Sequence, residues 1–370
     1  MKNHQISAAQ LVLMLFLYHS YNMFTSSTHN VTGHYGLPHL LAIPVALAIQ
    51  VVITLPAWLL VRKCRRGPAE AAVWTLGKAG AVYPLISSMY LLLIMAFTVY
   101  SMADFMVNAI YPGSSSAFFI VSMVLCALYA AYLGLEGIAR SALIVFVLFA
   151  VSLLLTFGGV TGRAALINIP PLPDGVVSLV LEGAWRIVGH SSTIVMYLLL
   201  LPYVRSHAGR GFGILLAAIA VLMETVTFFV SSVLGELGRM EAYPFFLLTT
   251  IAEVSILQRM DALHVAVWVM VSFLRVALCL WVASRQLSLC LPVRQQASRA
   301  KWLLPALAAA AAGIAGCMNQ IPRFSDGARA VFSTGIPILL LCAVLPAVCL
   351  IAGAVRHRLF PAKAKEGGSE

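Results

Sequence analysis

Charged side chains are scarce in this sequence. Asp, Glu, Lys and Arg make up 10% of its 370 residues, whereas an ordinary soluble domain has about 25%. Acidic residues are the scarcest, with only 13 in the chain, and hydrophobic residues reach 61%. A chain with so few charges lacks the polar surface that a soluble globular protein presents to water. The composition therefore indicates an integral membrane protein.

Sequence motifs of soluble enzymes are missing as well. The chain contains no HExxH, no GxSxG and no P-loop, the short motifs that carry a known catalytic mechanism. An intramembrane hydrolase that pairs His190 with Ser191 or Ser192 is disfavoured, because neighbours in sequence on a helix do not face each other. The seven cysteines are scattered, without a CxxC or a Cys/His pair at metal-binding spacing. We therefore predict no catalytic residue, no metal and no cofactor.

Apolar runs fill almost the whole chain, and most are close to the roughly 20 residues that a helix needs to cross a bilayer. They predict an all-α integral membrane protein with ten transmembrane helices in one domain, residues 1–355, followed by a short cytoplasmic tail, residues 356–370. Residues 62–80 are expected to form a short amphipathic cytoplasmic helix. Residues 235–261, on the outer side, are expected to form short helices that lie on the bundle and cap or gate a cavity. The predicted spans are 8–24, 38–61, 82–104, 116–133, 138–157, 186–204, 212–234, 262–284, 303–318 and 331–355.

The basic residues are distributed unevenly between alternate loops. Most of the 24 Lys and Arg residues fall in segments on the same side as the N-terminus, such as residues 62–66 and the tail. Cytoplasmic loops of membrane proteins carry this excess, so both termini are predicted to be cytoplasmic. A basic surface against the lipid bilayer also explains the net charge of +11 without any nucleic acid.

Polar residues interrupt two spans at corresponding places. Span one and span six each open a set of five spans, and an odd number makes the second set start from the opposite side of the membrane. The pattern predicts a 5+5 inverted repeat with broken helices one and six, which places a transporter-type binding site near the bilayer midplane. The interruptions are Tyr18, His19, Ser20, Tyr21 and Asn22 in span one, and Gly189, His190, Ser191, Ser192 and Thr193 in span six.

A broken helix exposes N–H and C=O groups that hold the charged ends of a small ligand. An amino acid, with one carboxylate and one ammonium group, suits such a site. The alternative, which the sequence leaves open, is that these side chains only form hydrogen bonds between packed helices. The predicted ligand-binding residues are His19, Ser20, Tyr21, Asn22, Gly189, His190, Ser191, Ser192 and Thr193.

Ionisable residues inside spans are energetically costly and are functional suspects by default. Arg275 lies in the middle of span eight, Glu224 lies in the middle of span seven, and Asp261 directly precedes span eight. We predict gating or coupling roles for these three residues, and the sequence does not decide whether Arg275 pairs with Glu224. Two pairs spaced four residues apart favour plain salt bridges, namely Glu136–Arg140 and Glu182–Arg186.

Four segments of the chain, at residues 6–11, 134–140, 200–204 and 257–263, together resemble the spore-germination permeases, the B subunits of germinant receptors. Residues 6–11, Ile-Ser-Ala-Ala-Gln-Leu, are similar to that family's N-terminal signature. Residues 134–140 resemble the start of its fifth span, and residues 200–204 resemble the end of its sixth. The most specific segment is Leu-Gln-Arg-Met-Asp-Ala-Leu at 257–263, followed by Trp268 and the basic Arg275 in span eight.

The resemblance implies the amino acid–polyamine–cation permease fold, with a germinant site between spans one, three, six and eight. It also implies assembly with A-type and C-type receptor subunits in a spore inner membrane. The chain departs from the family at two places. Tyr21 stands where the family has a glycine in span one, and Ser191, Ser192 and Thr193 align with a Phe-Gly-Glu in span six. Without that acidic residue, the identity of the ligand stays open.

The resulting prediction is a permease-like membrane subunit that binds a small germinant, such as an amino acid, and signals to partner subunits. One alternative is a proton- or sodium-coupled amino acid transporter. Another is a scaffold subunit that has lost its ligand.

Overall fold

The structure, a computed structural model, describes residues 6–25, 35–205, 208–254, 257–258, 261–291 and 296–355. The predicted tail, residues 356–370, and Arg259 of the family-like segment lie outside the described residues. Almost all of the described chain is helical. Among the described residues, two short strands, Glu253–Val254 and Leu257–Gln258, pair antiparallel, and Ile6 forms an isolated parallel bridge with Val204.

The described helices include ten that correspond to the ten predicted spans. Eight are long and apolar enough to cross a bilayer, and a bent pair gives a ninth. The tenth is span one, whose polar stretch lowers its mean hydropathy although most of its residues are buried. In chain order the spans are Ala8–Thr25, Leu37–Cys64, Val82–Phe105, Ser116–Leu133, Leu135–Val160, Val176–His190 with Ser192–Leu200, Ala208–Phe229, Asp261–Ser288, Gln296–Gln320, and Ile336–Leu339 continuing through Leu345–Val355.

The packing of the spans repeats between the two halves of the chain. Span two packs along the first half of span six, and its counterpart, span seven, packs along span one. Likewise span three contacts span nine, while span eight contacts span four, and spans three and eight pack on each other. An exchange of contacts between equivalent spans is what an inverted repeat produces. The 5+5 arrangement predicted from the span count therefore matches the observed packing.

Several boundaries differ from the predicted runs. Span six begins at Val176, ahead of the run at 186–204. The last run, 331–355, is divided, because Pro322–Ser333 forms a separate helix and span ten begins at Ile336. Gly335 makes the turn between them with a φ of 69°, a left-handed conformation that favours glycine. The expected short helices within 62–80 and 235–261 are present as Pro68–Leu76, Glu236–Met240 and Pro244–Ile251.

Span one is not broken between Ala8 and Thr25, which corrects the prediction of two broken helices. The helix runs through the polar stretch without a change of conformation. Within it, the Ser20 hydroxyl donates to the carbonyl oxygen of Phe16 at 2.8 Å, a bond that a continuous helix satisfies. The stretch has no glycine or proline. Its other four side chains each form a hydrogen bond to a neighbouring helix: Tyr18, His19, Tyr21 and Asn22. Unwinding is therefore unnecessary.

Candidate functional site

Span six breaks at Ser191, where the backbone leaves the helical conformation with φ −88° and ψ 57°. The two halves of the span meet at an angle of 42°. Next to the break, a Cβ atom on Gly189 would collide with the carbonyl oxygen of Phe332. Gly189 therefore lets the segment before span ten approach the backbone of span six. The break predicted for span six is present.

The polar stretches of spans one and six lie against each other. Tyr18 Oη and Ser192 Oγ are 3.1 Å apart, and His19 Nδ1 lies 3.0 Å from Thr193 Oγ1. One turn further along span one, Asn22 Nδ2 donates to a carbonyl oxygen at the break, that of His190, at 3.3 Å. The tertiary structure thus brings together two segments that are about 170 residues apart.

Span two supplies a residue that the sequence analysis missed. Gln50 is 3% exposed, and its Nε2 donates to Ser191 Oγ at 2.8 Å. Ser191 Oγ in turn donates to the carbonyl oxygen of Ile187 at 2.8 Å. This chain of hydrogen bonds holds the residue at which span six breaks. The amide side chain in the middle of the apolar run 45–53 was the available sequence signal.

Arg275 is the charged residue at this junction. It is 5% exposed, and its Nη1 donates to Asn22 Oδ1 at 2.8 Å and to the carbonyl oxygen of Tyr18 at 3.0 Å. Its guanidinium carbon also lies 4.5 and 4.6 Å from the ring centroids of Tyr18 and Tyr21, which is cation–π geometry. In the described part of the chain, no carboxylate oxygen lies within 4.0 Å of Arg275.

The other two residues predicted to act in gating or coupling lie elsewhere. Glu224 is partly buried on span seven and forms no ion pair with Arg275. Asp261 begins span eight, so it is roughly 21 Å from Arg275 along the axis at about 1.5 Å per residue. It lines a separate, apolar groove of about 1160 Å³ between spans three, four and eight. The two expected salt bridges, Glu136–Arg140 and Glu182–Arg186, are formed.

A small cavity lies at the junction of spans one, three, six and eight. Its volume is about 30 Å³, enough for one or two water molecules and far below the roughly 300–1,000 Å³ of a typical ligand pocket. The site is therefore closed in this conformation. Predicted residues that line it are Tyr21, Asn22, Gly189, His190, Ser192 and Arg275.

Four lining residues were not anticipated from the sequence, and four anticipated ones do not line the cavity. Ile94 and the rings of Tyr90 and Phe97 come from span three, and Phe332 lies just before span ten. Their apolar character gave no sequence signal that distinguishes them from ordinary packing residues. The four predicted ligand-binding residues that do not line the cavity are buried between helices. They are His19, Ser20, Ser191 and Thr193.

Aromatic rings connect this junction to the short helices 236–251. Tyr21 stacks on Trp268 with centroids 6.2 Å apart, and Trp268 contacts Phe105 at 4.6 Å. Phe105 in turn contacts Tyr243 at 4.9 Å and Phe246 at 5.1 Å. Burial, with the nearby Asp104 carboxylate, raises the pKa of Tyr243 well above its ordinary value, so its hydroxyl stays protonated and donates to Asp104 Oδ2 at 3.0 Å.

Among the described residues, no three His, Cys, Asp or Glu side chains are grouped so that they could hold a metal ion. The chemistry available at the junction is therefore that of hydroxyl, amide and imidazole groups around one buried guanidinium.

Comparisons with known proteins agree with this architecture. Residues 39–321, more than half of the chain, match the sequence family described as Spore germination protein. No curated protein sequence matches the chain. A solved structure of a Na⁺-coupled sialic acid symporter, in a substrate-bound outward-open state, is similar over 98% of this chain and 85% of its own. The TM-score is 0.65 and the sequence identity 14%, so this likeness concerns the fold alone.

Proposed function

The chain belongs to the spore germination protein family, and from this premise we propose that it is the permease-like subunit of a germinant receptor. It binds a small nutrient, such as an amino acid, and signals to A-type and C-type partner subunits that start germination. We place it in the spore inner membrane with both termini in the cytoplasm, since its basic residues favour that orientation.

One observation carries the proposal: the broken span six meets the polar face of span one around the buried Arg275. Polar groups this deep in a bundle are costly and are retained where a site needs them. The small cavity beside them is lined by residues of spans one, three, six and eight. A ligand-binding role accounts for this concentration of hydrogen-bonding groups better than helix packing alone.

The closed cavity suits a receptor that works by a shift between two conformations. A nutrient larger than two water molecules binds only when lining residues move aside. We assign this movement to Phe97 and Phe332, which line the cavity and whose ring centroids are 5.4 Å apart. Binding then stabilises the open conformation, and partner subunits that contact the moving helices respond to the change in population.

A thermal-shift screen of the purified chain tests this function. Common nutrients, including amino acids and sugars, are added singly, and at least one is expected to raise the apparent melting temperature. The same compound should trigger germination of spores that carry this receptor together with its A-type and C-type subunits. A screen in which no nutrient stabilises the protein would favour the scaffold alternative.

A second function, a proton- or sodium-coupled amino acid transporter, is favoured by the fold shared with a Na⁺-coupled symporter. Uptake by proteoliposomes that contain this chain alone separates the two functions. Accumulation of a labelled amino acid above its external concentration, driven by an imposed sodium or proton gradient, would support transport. Binding without uptake would support the receptor.

A further inference from the structure

The hydrogen bonds of Arg275 are unevenly distributed over its guanidinium group. Both short bonds come from Nη1, to the oxygens of Tyr18 and Asn22. Nη2 has one long contact, at 3.5 Å to Ser192 Oγ, and Nε is buried without a hydrogen-bond partner. Nε and Nη2 form one edge of the planar group, and such an edge binds a carboxylate through two parallel hydrogen bonds. The Nε–Nη2 edge therefore forms no short hydrogen bond in this structure.

The charge of Arg275 is also incompletely compensated. Two oxygen dipoles and two aromatic faces stabilise the cation, but in the described residues no carboxylate lies near it. A buried charge without a counter-ion is costly. Because Arg275 also lines the cavity, an anionic group that enters the cavity would supply the missing counter-charge.

We propose that Arg275 is the carboxylate anchor of the site and that the ligand is a small monocarboxylate, with amino acids in this class. This inference rests on the proposed function and narrows its ligand. The carboxylate binds the Nε–Nη2 edge and displaces the long contact to Ser192. The apolar lining, which includes Tyr90, Phe97 and Phe332, then receives a short side chain. Sugars, nucleosides and other uncharged nutrients lack the group that Arg275 needs.

Matched pairs of amino acids and their amides test the anchor on the unaltered protein. Thermal shift of the purified full-length chain is measured with L-alanine and L-alaninamide, and with the acid and amide of L-valine and L-leucine. D-glucose and adenosine serve as uncharged nutrients. We expect at least one acid to raise the apparent melting temperature. Its amide should give the same shift only at a concentration at least about tenfold higher, because the amide cannot form the buried charge pair with Arg275.

Two other outcomes are decisive. If an amide, D-glucose or adenosine stabilises the protein as well as any acid does, the carboxylate anchor is wrong while the proposed binding function stands. If no compound shifts the melting temperature and none triggers germination, both the binding function and the anchor fail.

Variants of Arg275 provide an independent test. In Arg275→Gln, the acid and its amide are expected to bind within about threefold of each other, because the charge that distinguishes them is gone. Arg275→Lys keeps the charge but not the planar edge, so it should keep a preference for the acid at weaker affinity. Arg285→Gln is the matched control, since Arg285 lies on the same span over Trp281, at 5.3 Å, and does not line the cavity. A persistent preference for the acid in Arg275→Gln would overturn the inference, and if that variant does not fold, the lysine variant and the wild-type comparison decide.

Discussion

Arg275 of span eight donates a hydrogen bond to the main-chain carbonyl oxygen of Tyr18 in span one, at 3.0 Å. The hydroxyl oxygen of the same tyrosine lies 3.1 Å from Ser192 Oγ of span six. Three spans that are distant in sequence therefore meet at a single residue of span one, Tyr18. Movement of any one of these spans would change the surroundings of the Arg275 guanidinium.

Replacement of Gln50 should lower the stability of the protein and leave the break in span six less firmly positioned. In Gln50→Leu the bond to Ser191 is lost, and we expect the free energy of unfolding to fall by about 1 kcal/mol, seen as a lower melting temperature in detergent. The response to ligand should weaken as well, because the break is less well positioned. Thr54→Val is the control, since its hydroxyl bonds carbonyls of its own helix. An equal loss of ligand response in both variants would contradict a specific role for Gln50.

Gly189 should tolerate no larger side chain. In Gly189→Ala the new Cβ would collide with the carbonyl oxygen of Phe332. The backbone at Phe332 or Gly189 must therefore shift, and we expect the free energy of unfolding to fall by about 1–3 kcal/mol. Gly213→Ala in span seven is the matched variant, since a Cβ there has no neighbour within 4 Å and alanine favours the helix by about 0.5–1 kcal/mol. Melting temperatures should therefore change in opposite directions. Equal stability of the two variants would show that the contact at Gly189 relaxes freely.

Asn22 and Ser192 should act on ligand response as one unit. Both contact Arg275, at 2.8 and 3.5 Å, so Asn22→Leu and Ser192→Ala should each raise the nutrient concentration needed for half-maximal germination. The double variant should depart from additivity by about 0.5–3 kcal/mol. Ser122→Ala on span four, whose hydroxyl bonds its own helix, should combine additively with Asn22→Leu. Additive behaviour of the Asn22 and Ser192 changes would mean that they do not share a site.

The aromatic contacts of Phe105 should matter for signalling more than for binding. In Phe105→Leu the rings of Trp268 and Tyr243 lose their shared neighbour, and we expect nutrient affinity within about threefold of wild type, with a larger loss of germination response. A threefold change in affinity corresponds to less than about 1 kcal/mol of binding free energy. Phe118→Leu, on an exposed surface of span four, is the control. If binding and germination fall in parallel, the rings support the site and do not transmit its state.

The orientation of the chain is tested by cysteine labelling in a variant without the seven native cysteines. Single cysteines at Lys63 or Arg210 should be shielded from an impermeant thiol reagent added outside, and those at Gly113 or Pro171 should react. All four positions are exposed, so the side of the membrane and not burial decides the outcome. Reversed labelling would overturn the assignment of both termini to the cytoplasm.

The polar stretches show how far the sequence predicted the site. Their position in spans one and six identified both segments, because polar groups in hydrocarbon need partners. The sequence did not indicate which of these polar residues face the cavity. Asn22 and His190 line it, while Ser20 bonds its own helix and His19 bonds Thr193. The rotation of each helix is set by packing against its neighbours, and an interrupted apolar pattern does not encode it.

The sequence alone determined that this is a helical membrane protein with ten spans in two sets of five, because span length and hydropathy follow directly from the thickness and dryness of the bilayer. It also located a charged residue, Arg275, where a charge is expensive. Only the tertiary structure decided that Arg275 contacts Tyr18 and Asn22 and not Glu224, and that span one stays continuous while span six breaks. Those outcomes depend on distances between residues far apart in the chain, where several hydrogen-bond partners compete and packing geometry selects among them.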